Sequence, residues 1–221
     1  MKRSILVSLV VLANLLSHNV GRANELLNGS FETPVVTPGT FLNFGAGAEP
    51  AGFVWKVATG NIDLAGPNPF ILFPSYDAVQ SVDLNGTVRG SLYQDFATVL
   101  GQKYSLTFAY ADNPVEGGVS TADVTVTDLV GSGTLLSDSV SHSTSTNSPV
   151  NGDWILYSGS FTATSASTRL LFTSTSASND ASGGILLDNV LVQPVPESST
   201  IALLSSGLLS LGFSRWRRRR A

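Results

Sequence analysis

Short stretches in which apolar and polar residues alternate run through the middle of the chain and predict β-strands. The clearest are residues 104–110, where every second side chain is large and apolar, and residues 124–127, where valine alternates with threonine. Residues 155–157 and 170–172 continue this period of two, which is typical of strands with one buried face. Glycine, asparagine, aspartate and proline separate the stretches, and no long helical period occurs. The pattern predicts an all-β sandwich of roughly eight to ten strands.

The first 23 residues depart from this pattern. They have a positive start at Lys2 and Arg3, an apolar core at residues 5–16 and small residues around Arg22. This order is typical of a secretory signal peptide, which predicts that the mature protein begins at Asn24. A signal anchor that is never removed is the alternative. Both interpretations export the domain that follows, residues 24–192.

The last part of the chain, residues 193–221, has three ordered parts. Val195, Pro196 and Glu197 come first, and an apolar run at residues 200–213 follows. The run is shorter than the ~20 residues that span a bilayer comfortably, so it predicts a short, marginal membrane helix. Arginines that follow the run stay on the cytoplasmic side, so the domain lies across the membrane from them. These arginines are Arg215, Arg217, Arg218, Arg219 and Arg220.

These three parts, in this order, resemble the PEP-CTERM sorting signal of Gram-negative bacteria. The resemblance implies that an exosortase of the inner membrane cuts near Pro196-Glu197 after the secretion machinery has delivered the domain. It also implies a transient stay in the inner membrane, then a place at the cell surface or in an extracellular matrix rich in exopolysaccharide. Ser198 stands where the family usually has a second proline. An ordinary tail anchor that is never cut is the alternative.

Composition narrows the function of the exported domain. The chain has no cysteine, so the fold must depend on its apolar core, with or without a metal. Residues 24–192 contain four Lys and Arg against fifteen Asp and Glu, a net charge of −11. A domain this acidic is not expected to bind nucleic acid. Its surface suits a neutral sugar, a divalent cation or simple solubility.

A second resemblance covers nearly all of this domain. The opening and a series of later motifs are similar, in order and spacing, to extracellular galactose-binding-like β-sandwiches with a jelly-roll fold. The most similar are cell-wall-associated proteins of plants and bacteria whose domain has no assigned function. The resemblance implies a non-catalytic, carbohydrate-binding jelly roll. The matching stretches are residues 27–34 (LNGSFETP), 55–57 (WKV), 60–63 (GNID), 80–86 (QSVDLNG), 92–96 (LYQDF), 101–108 (GQKYSLTF) and 185–190 (ILLDNV).

Two acidic residues in these motifs require partners. In an extended strand, Asp188 shares a face with Leu186, Val190 and Val192, so its burial would be costly without a partner. Glu32 is in a similar position near the start of the predicted first strand.

The resemblance implies a metal for these two acids. In similar carbohydrate-binding jelly rolls, an acid of the opening motif and one of the closing strand join backbone carbonyls around a structural Ca²⁺. Glu32 and Asp188 occupy the matching places, and oxygen ligands suit this ion. The alternative is that the two acids accept backbone N–H bonds or have an arginine such as Arg169 as counter-ion.

Aromatic residues are candidates for sugar contacts. Trp55, Trp154 and Tyr157 lie in alternating runs, which predicts that they are core residues. Tyr76 is different, because it lies in the long, proline-containing loop of residues 66–77. Such loops often carry function, so Tyr76 and Asp77 are predicted to bind a ligand. The alternative is that the loop merely covers one end of the sandwich.

Catalysis has little support in the sequence. His142 is the only histidine of residues 24–192, and its Ser- and Thr-rich surroundings predict a loop or an exposed edge. Zinc chemistry would need more histidine or cysteine. We therefore expect a non-catalytic carbohydrate-binding protein. A structural surface protein without a small ligand is the first alternative. A glycoside hydrolase, which needs two suitably spaced carboxylates in an open cleft, is the second.

Overall fold

The computed structural model describes residues 23–67, 75–114, 118–144, 153–177 and 183–196 of the chain. The predicted signal peptide before Ala23, and the tail from Glu197 onward with its arginines, lie outside these residues. The described part forms two antiparallel sheets, which confirms the prediction of an all-β sandwich. Within it, no helix is long and apolar enough to cross a membrane.

Eleven strands form the two sheets within the described ranges, slightly more than the number predicted. In chain order they are β1 (Phe41–Gly45), β2 (Lys56–Thr59), β3 (Asn61–Ala65), β4 (Ser81–Asp83), β5 (Ser91–Ala97), β6 (Lys103–Asp112), β7 (Gly118–Asp128), β8 (Thr134–Thr144), β9 (Ile155–Thr162), β10 (Ser167–Ser174) and β11 (Ile185–Pro194). The order is β1-β3-β4-β11-β6-β9 in the six-stranded sheet and β2-β5-β10-β7-β8 in the five-stranded sheet. The first four strands have only three to five residues each, too few to show a clear alternation.

Side chains that point between the sheets form one apolar core. In β6, Tyr104, Leu106 and Phe108 are buried in it, as the alternation predicts. Trp55 is also a core residue, and its ring centroid lies 5.4 Å from that of Phe31. Full burial of one large apolar side chain stabilises the fold by about 1.5 to 3 kcal/mol. In a chain without cysteine, this core takes the place of disulfide bonds.

The opening segment is anchored on the last strand although it is not itself a strand. The amide of Val190 donates to the carbonyl of Gly29 over 2.9 Å. Asn28 and Phe31 have φ angles of 51° and 57°, a left-handed conformation that no extended strand adopts. The prediction that Glu32 lies near the start of the first strand is therefore wrong, since β1 begins nine residues later.

Strand β11 contains a bulge that changes which side chains share a face. Its pairing with β6 shifts register just after Asp188, and Asn189 has a φ of 50°. Val190 and Val192 therefore join the core between the sheets, whereas Asp188 and Leu186 lie on the outer face. The prediction that Asp188 shares a face with three apolar residues is therefore correct for Leu186 and wrong for Val190 and Val192. The extra residue of the bulge moves every later side chain to the opposite face of the sheet.

Candidate functional site

The outer face of the six-stranded sheet is buried although it points away from the core. Ala109 and Ala111 of β6, with Leu186 and Asp188 opposite them on β11, have no exposed surface. The small alanine side chains leave room for other chain segments to approach this face. Residues 75–80 lie over it and are held there by two carboxylates.

Asp188 binds the first part of that segment. Its Oδ2 accepts hydrogen bonds from the backbone amides of Tyr76 and Asp77, over 2.7 and 2.8 Å. Its Oδ1 accepts the amide of Asn189 over 2.6 Å. Burial raises the pKa of Asp188 to about 7, although these hydrogen bonds favour the charged form. Asp188 therefore fixes the backbone from which the Tyr76 and Asp77 side chains project.

Glu32 binds the second part of the same segment. Its Oε1 accepts the backbone amides of Val79 and Gln80, over 3.0 and 2.9 Å. The Gln80 side chain bonds back to the opening segment, because its Nε2 donates to the carbonyls of Phe31 and Pro34. The two acids that the sequence singled out thus converge on one segment of five residues.

These contacts match the hydrogen-bonded alternative for Glu32 and Asp188. Three of their four carboxylate oxygens accept amide hydrogens, and a bound cation prefers oxygens that face no such donor. Arg169 is not their counter-ion, since it binds Asp95. Across the described ranges, no group of three or more His, Asp or Glu side chains is placed to hold a metal ion. Calcium binding stays a prediction.

The predicted ligand residues Tyr76 and Asp77 lie beside a third residue, Trp154. Tyr76 is 43% exposed, and its ring meets that of Trp154 edge-on with centroids 6.1 Å apart. The indole Nε1 of Trp154 is buried and has no acceptor among the described residues. The Asp77 carboxylate accepts the Ser30 hydroxyl over 2.9 Å. The group combines an accessible aromatic surface, an unused donor and a carboxylate.

Trp154 corrects one of the predictions from sequence. It lies directly before β9 and outside the apolar core, whereas Trp55 is a core residue. Tyr157 is half-buried and stacks on Phe108 with centroids 4.6 Å apart. The signal that could have separated Trp154 is its position after Gly152-Asp153, a turn-forming pair that precedes the alternating run.

A second acidic pair lies on the same outer face and was not singled out from sequence. Asp63 and Asp83 are directly opposite on β3 and β4. Asp83 accepts the Asn113 side-chain amide over 2.6 Å and the Asn85 backbone amide over 2.8 Å. Burial, with added repulsion from Asp63 and Asp112, raises the pKa of Asp83 to about 7.

This pair does not have the geometry of a hydrolytic cleft. Asp83 is 1% exposed and Asp63 is 7% exposed, so a sugar chain could not reach between them. Inverting glycosidases need roughly 6.5 to 9.5 Å of open space between their carboxyl groups for a water molecule. The pair instead belongs to the hydrogen-bond network that holds this end of the sheet.

His142 lies on an edge strand rather than in a loop, which agrees with one of the two predicted settings, although its side chain is buried. It lies on β8, which is an edge strand of the five-stranded sheet, and is 8% exposed. Its Nδ1 accepts the amide of Asp112 over 3.1 Å, so Nε2 carries the proton that it shares with the carbonyl of Asp153, 2.8 Å away. Both ring nitrogens are therefore used in structure, and neither is positioned to activate a serine.

The residues predicted to form a sorting signal begin where the last strand ends. The amide of Val195 donates to the carbonyl of Lys103 over 2.7 Å, and the Gln102 side chain donates to the Val195 carbonyl over 2.8 Å. Pro196 follows directly and is exposed. Glu197 and the arginines lie outside the described residues.

Comparison with known proteins identifies a family and one relative that is similar in sequence. A model of the family described as "Protein of unknown function (DUF642)" matches residues 24–193. Halomucin of Haloquadratum walsbyi is 28% identical over 196 residues, which are 86% of this chain and 2% of halomucin. The chain thus spans only a small part of that protein's length.

The chain also has some similarity to solved structures. The structure of TmCBM61 in complex with beta-1,4-galactotriose has a TM-score of 0.46 at 18% identity, over 78% of this chain and 99% of that chain. The CBM22-1 xylan-binding domain of Xyn10C from Paenibacillus barcinonensis has a TM-score of 0.45 at 14% identity, over 74% and 100%.

Proposed function

The chain belongs to the DUF642 family, and we propose on that premise that its sandwich is a non-catalytic module that binds a neutral polysaccharide outside the cell. One observation carries the proposal: Tyr76 and Trp154 meet at the surface, and the Trp154 indole N–H has no partner in the part of the chain that the structure describes. Both side chains lie beside the segment that Asp188 fixes.

This aromatic pair has the chemistry that a sugar requires. The C–H faces of a sugar ring pack on aromatic side chains, while its hydroxyl groups need donors and acceptors close by. The exposed Asp77 carboxylate could accept a sugar hydroxyl. The Trp154 indole N–H is buried, so it could donate to a second hydroxyl once the ligand displaces the groups that cover it. A buried donor without a partner costs about 1 to 3 kcal/mol, and such a ligand would remove that cost.

The site is also held in place before any ligand arrives. Asp188 binds the amides of Tyr76 and Asp77, and Glu32 binds the amides that follow. A ligand would therefore order little chain on binding, which favours affinity. The domain charge of −11 disfavours polyanionic ligands, so a neutral polysaccharide is the partner of choice.

We propose that the tail determines where the module acts. In this proposal an exosortase cuts near Pro196-Glu197 after transient insertion in the inner membrane, and the module then stays at the cell surface or in the matrix. If Ca²⁺ binds the domain, Glu32 and Asp188 are the ligands we propose, and Asp188→Ala would abolish a calcium-dependent rise in melting temperature.

The test is affinity electrophoresis of the purified protein in gels that contain neutral galactans, xylans or glucans. The wild type should be retarded by at least one of them. Trp154→Ala should weaken that binding by about tenfold or more, the factor given by about 1.4 kcal/mol. Tyr93→Ala is the matched control, because Tyr93 is a partly buried aromatic residue of the five-stranded sheet.

Three outcomes would contradict the proposal. Retardation by none of the polysaccharides would favour the structural protein without a small ligand. Equal affinity of wild type and Trp154→Ala would place the ligand elsewhere. Release of new reducing ends by the pure protein would favour the hydrolase.

A further inference from the structure

Two turns at one end of the sandwich expose apolar side chains where turns are normally polar. The turn between β5 and β6 carries Val99 and Leu100, which are 66% and 71% exposed. The turn between β7 and β8 carries Leu129 and Val130, which are 38% and 75% exposed. Together these four side chains form the apolar tips of the sandwich.

The two turns are neighbours because the connection from β9 to β10 joins them. The amide of Thr98, directly before Val99, donates to the carbonyl of Ala166 over 3.1 Å. The amide of Leu129 donates to the carbonyl of Ser167, also over 3.1 Å. The apolar tips therefore belong to one exposed surface at this end of the sandwich.

The chain leaves the domain at the same end. The amide of Gln102 donates to the carbonyl of Val99 over 3.0 Å, and the Gln102 side chain donates to the carbonyl of Val195 over 2.8 Å. Val195 directly follows the end of β11. The tail thus begins within two hydrogen bonds of the apolar tips.

The tail contains its apolar run almost at once. Four residues separate Val195 from Thr200, where the run starts. An extended chain gains at most about 3.6 Å per residue, so Thr200 lies within about 18 Å of Val195. A tail inserted in a bilayer would hold this end of the sandwich against the lipid surface.

We propose that the apolar tips insert into the outer surface of the membrane that receives the tail. The inference rests on the proposed function only through the tail. Besides the tail, the apolar tips would be a second contact with lipid, and they would hold this end of the sandwich against the membrane during sorting. The candidate sugar site then faces away from the membrane, because Trp154 precedes β9 at the opposite end of the sandwich from the β9–β10 connection.

The charges around the apolar tips fit a lipid surface. The carboxylate of Asp128 accepts the hydroxyls of Thr164 and Ser165 and the amide of Val130, so the acid in this turn is satisfied within the protein. Lys103, beside the chain exit, is exposed. A lysine at this position can approach an anionic lipid headgroup.

Single labels can test this placement because the chain has no cysteine of its own. The full chain would carry an environment-sensitive fluorophore at Val130→Cys, at Val88→Cys or at Ser205→Cys, in vesicles of phosphatidylethanolamine and phosphatidylglycerol. Val88 is the matched control, because it is a 37% exposed valine before β5, at the opposite end from the tips. Ser205 lies in the apolar run and reports on the tail.

We expect labels at positions 130 and 205 to shift to the blue with vesicles and to be quenched by nitroxide lipids, whereas the label at position 88 stays aqueous. An aqueous label at position 130 with an inserted label at position 205 would overturn this inference and leave the sorting tail intact. An aqueous label at position 205 would contradict the tail itself and, with it, the inference. A blue shift at position 130 without vesicles would indicate contact between protein copies and also overturn it.

A variant sharpens the same experiment. Leu100→Ser, combined with the label at position 130, should lower the lipid-inserted fraction of that label by about tenfold, because Leu100 would lose its apolar contact with lipid. Val88→Ser should leave the fraction unchanged. The label at position 205 should stay inserted in both variants. An unchanged fraction in Leu100→Ser would show that the tips do not contribute.

Discussion

The outer faces of the two sheets hold their acidic side chains in opposite ways. On the six-stranded sheet, Asp83 and Asp188 are buried and receive hydrogen bonds from amide groups. On the five-stranded sheet, Asp95 pairs in the open with Arg169, over 2.6 and 2.8 Å, and the two side chains are 41% and 35% exposed. Arg169 also covers the ring of Tyr93 at 3.9 Å.

This difference implies that the acids of the six-stranded sheet contribute strongly to stability, whereas those of the five-stranded sheet contribute little. Removing one partner of a buried carboxylate–amide contact leaves the other partner buried and unpaired. The free energy of unfolding then falls far more than when one partner of an exposed ion pair is removed. Exposed ion pairs contribute about 0 to 1 kcal/mol. The face that carries the candidate ligand segment is thus also the face on which single substitutions should matter most.

The largest expected effect is the pH dependence of the free energy of unfolding. Burial raises the pKa of Asp83 and Asp188 to about 7 from an ordinary value of 3.8. The folded state then keeps protons that the unfolded state releases, so the contribution of these two groups to the free energy of unfolding is largest below about pH 4 and is lost as the pH rises to 7. Each group contributes up to about 1.4 kcal/mol per pH unit within this window. Urea unfolding at several pH values measures the slope.

Asp83→Asn is the matched variant for that slope. It removes one of the acids whose pKa burial raises, while Asp63 and Asp188 remain, so the decline in the free energy of unfolding between pH 4 and 7 should become shallower without disappearing. A free energy of unfolding that rises with pH over this window in the wild type would contradict the comparison of the two faces.

The second effect concerns the amide bonds of Asp188. Asp188→Ala leaves three backbone amides without their acceptor, and each buried unpaired group costs about 1 to 3 kcal/mol. We expect the free energy of unfolding to fall by about 3 kcal/mol. For a domain of this size that is about 6 to 12 °C in melting temperature, which calorimetry would measure.

Asp95→Ala is the control on the other face. It removes a carboxylate of the same type and should lower the free energy of unfolding by less than about 1 kcal/mol. The loss of free energy of unfolding in Asp188→Asn should lie between those of Asp188→Ala and Asp95→Ala, because the asparagine amide oxygen can still accept one or two of the N–H groups. Equal losses in Asp188→Ala and Asp95→Ala would remove the distinction between buried and open acids.

The smallest effect is the coupling between Arg169 and Asp95. A double-mutant cycle of Arg169→Ala and Asp95→Ala should give a coupling free energy of about 0.5 kcal/mol, and molar salt should reduce it further. A coupling of about 2 kcal/mol or more would mean that the five-stranded sheet depends on this pair as strongly as the other sheet depends on its buried acids.

Several parts of the fold and the site were predictable from sequence. The period of two around residues 104–108 placed a strand and its core side chains correctly, because alternation reports directly on which face is buried. Glu32 and Asp188 were recognised as acids in need of partners. The ligand-binding role of Tyr76 and Asp77 stays a prediction, and the structure brings all four residues together at one short segment.

Other parts were not predictable. The bulge after Asp188 depends on a single residue with positive φ, which no alternation of residue types reveals. The contact of Trp154 with Tyr76 joins residues 78 positions apart and depends on where the segment before β9 meets the outer face. Whether a tryptophan in an alternating run enters the core or leaves it is decided by the register of its strand.

The sequence by itself determined the all-β class, the reliance on an apolar core without disulfides, the acidic charge of the domain and the apolar and basic composition of the tail. These are properties of local composition and period. Only the tertiary structure decided that backbone amides satisfy Asp188, that Trp154 leaves the core, and that the apolar tips share one end with the chain exit. Such contacts join residues far apart in sequence, and they exist only once the order and register of the strands are set by packing of the whole core.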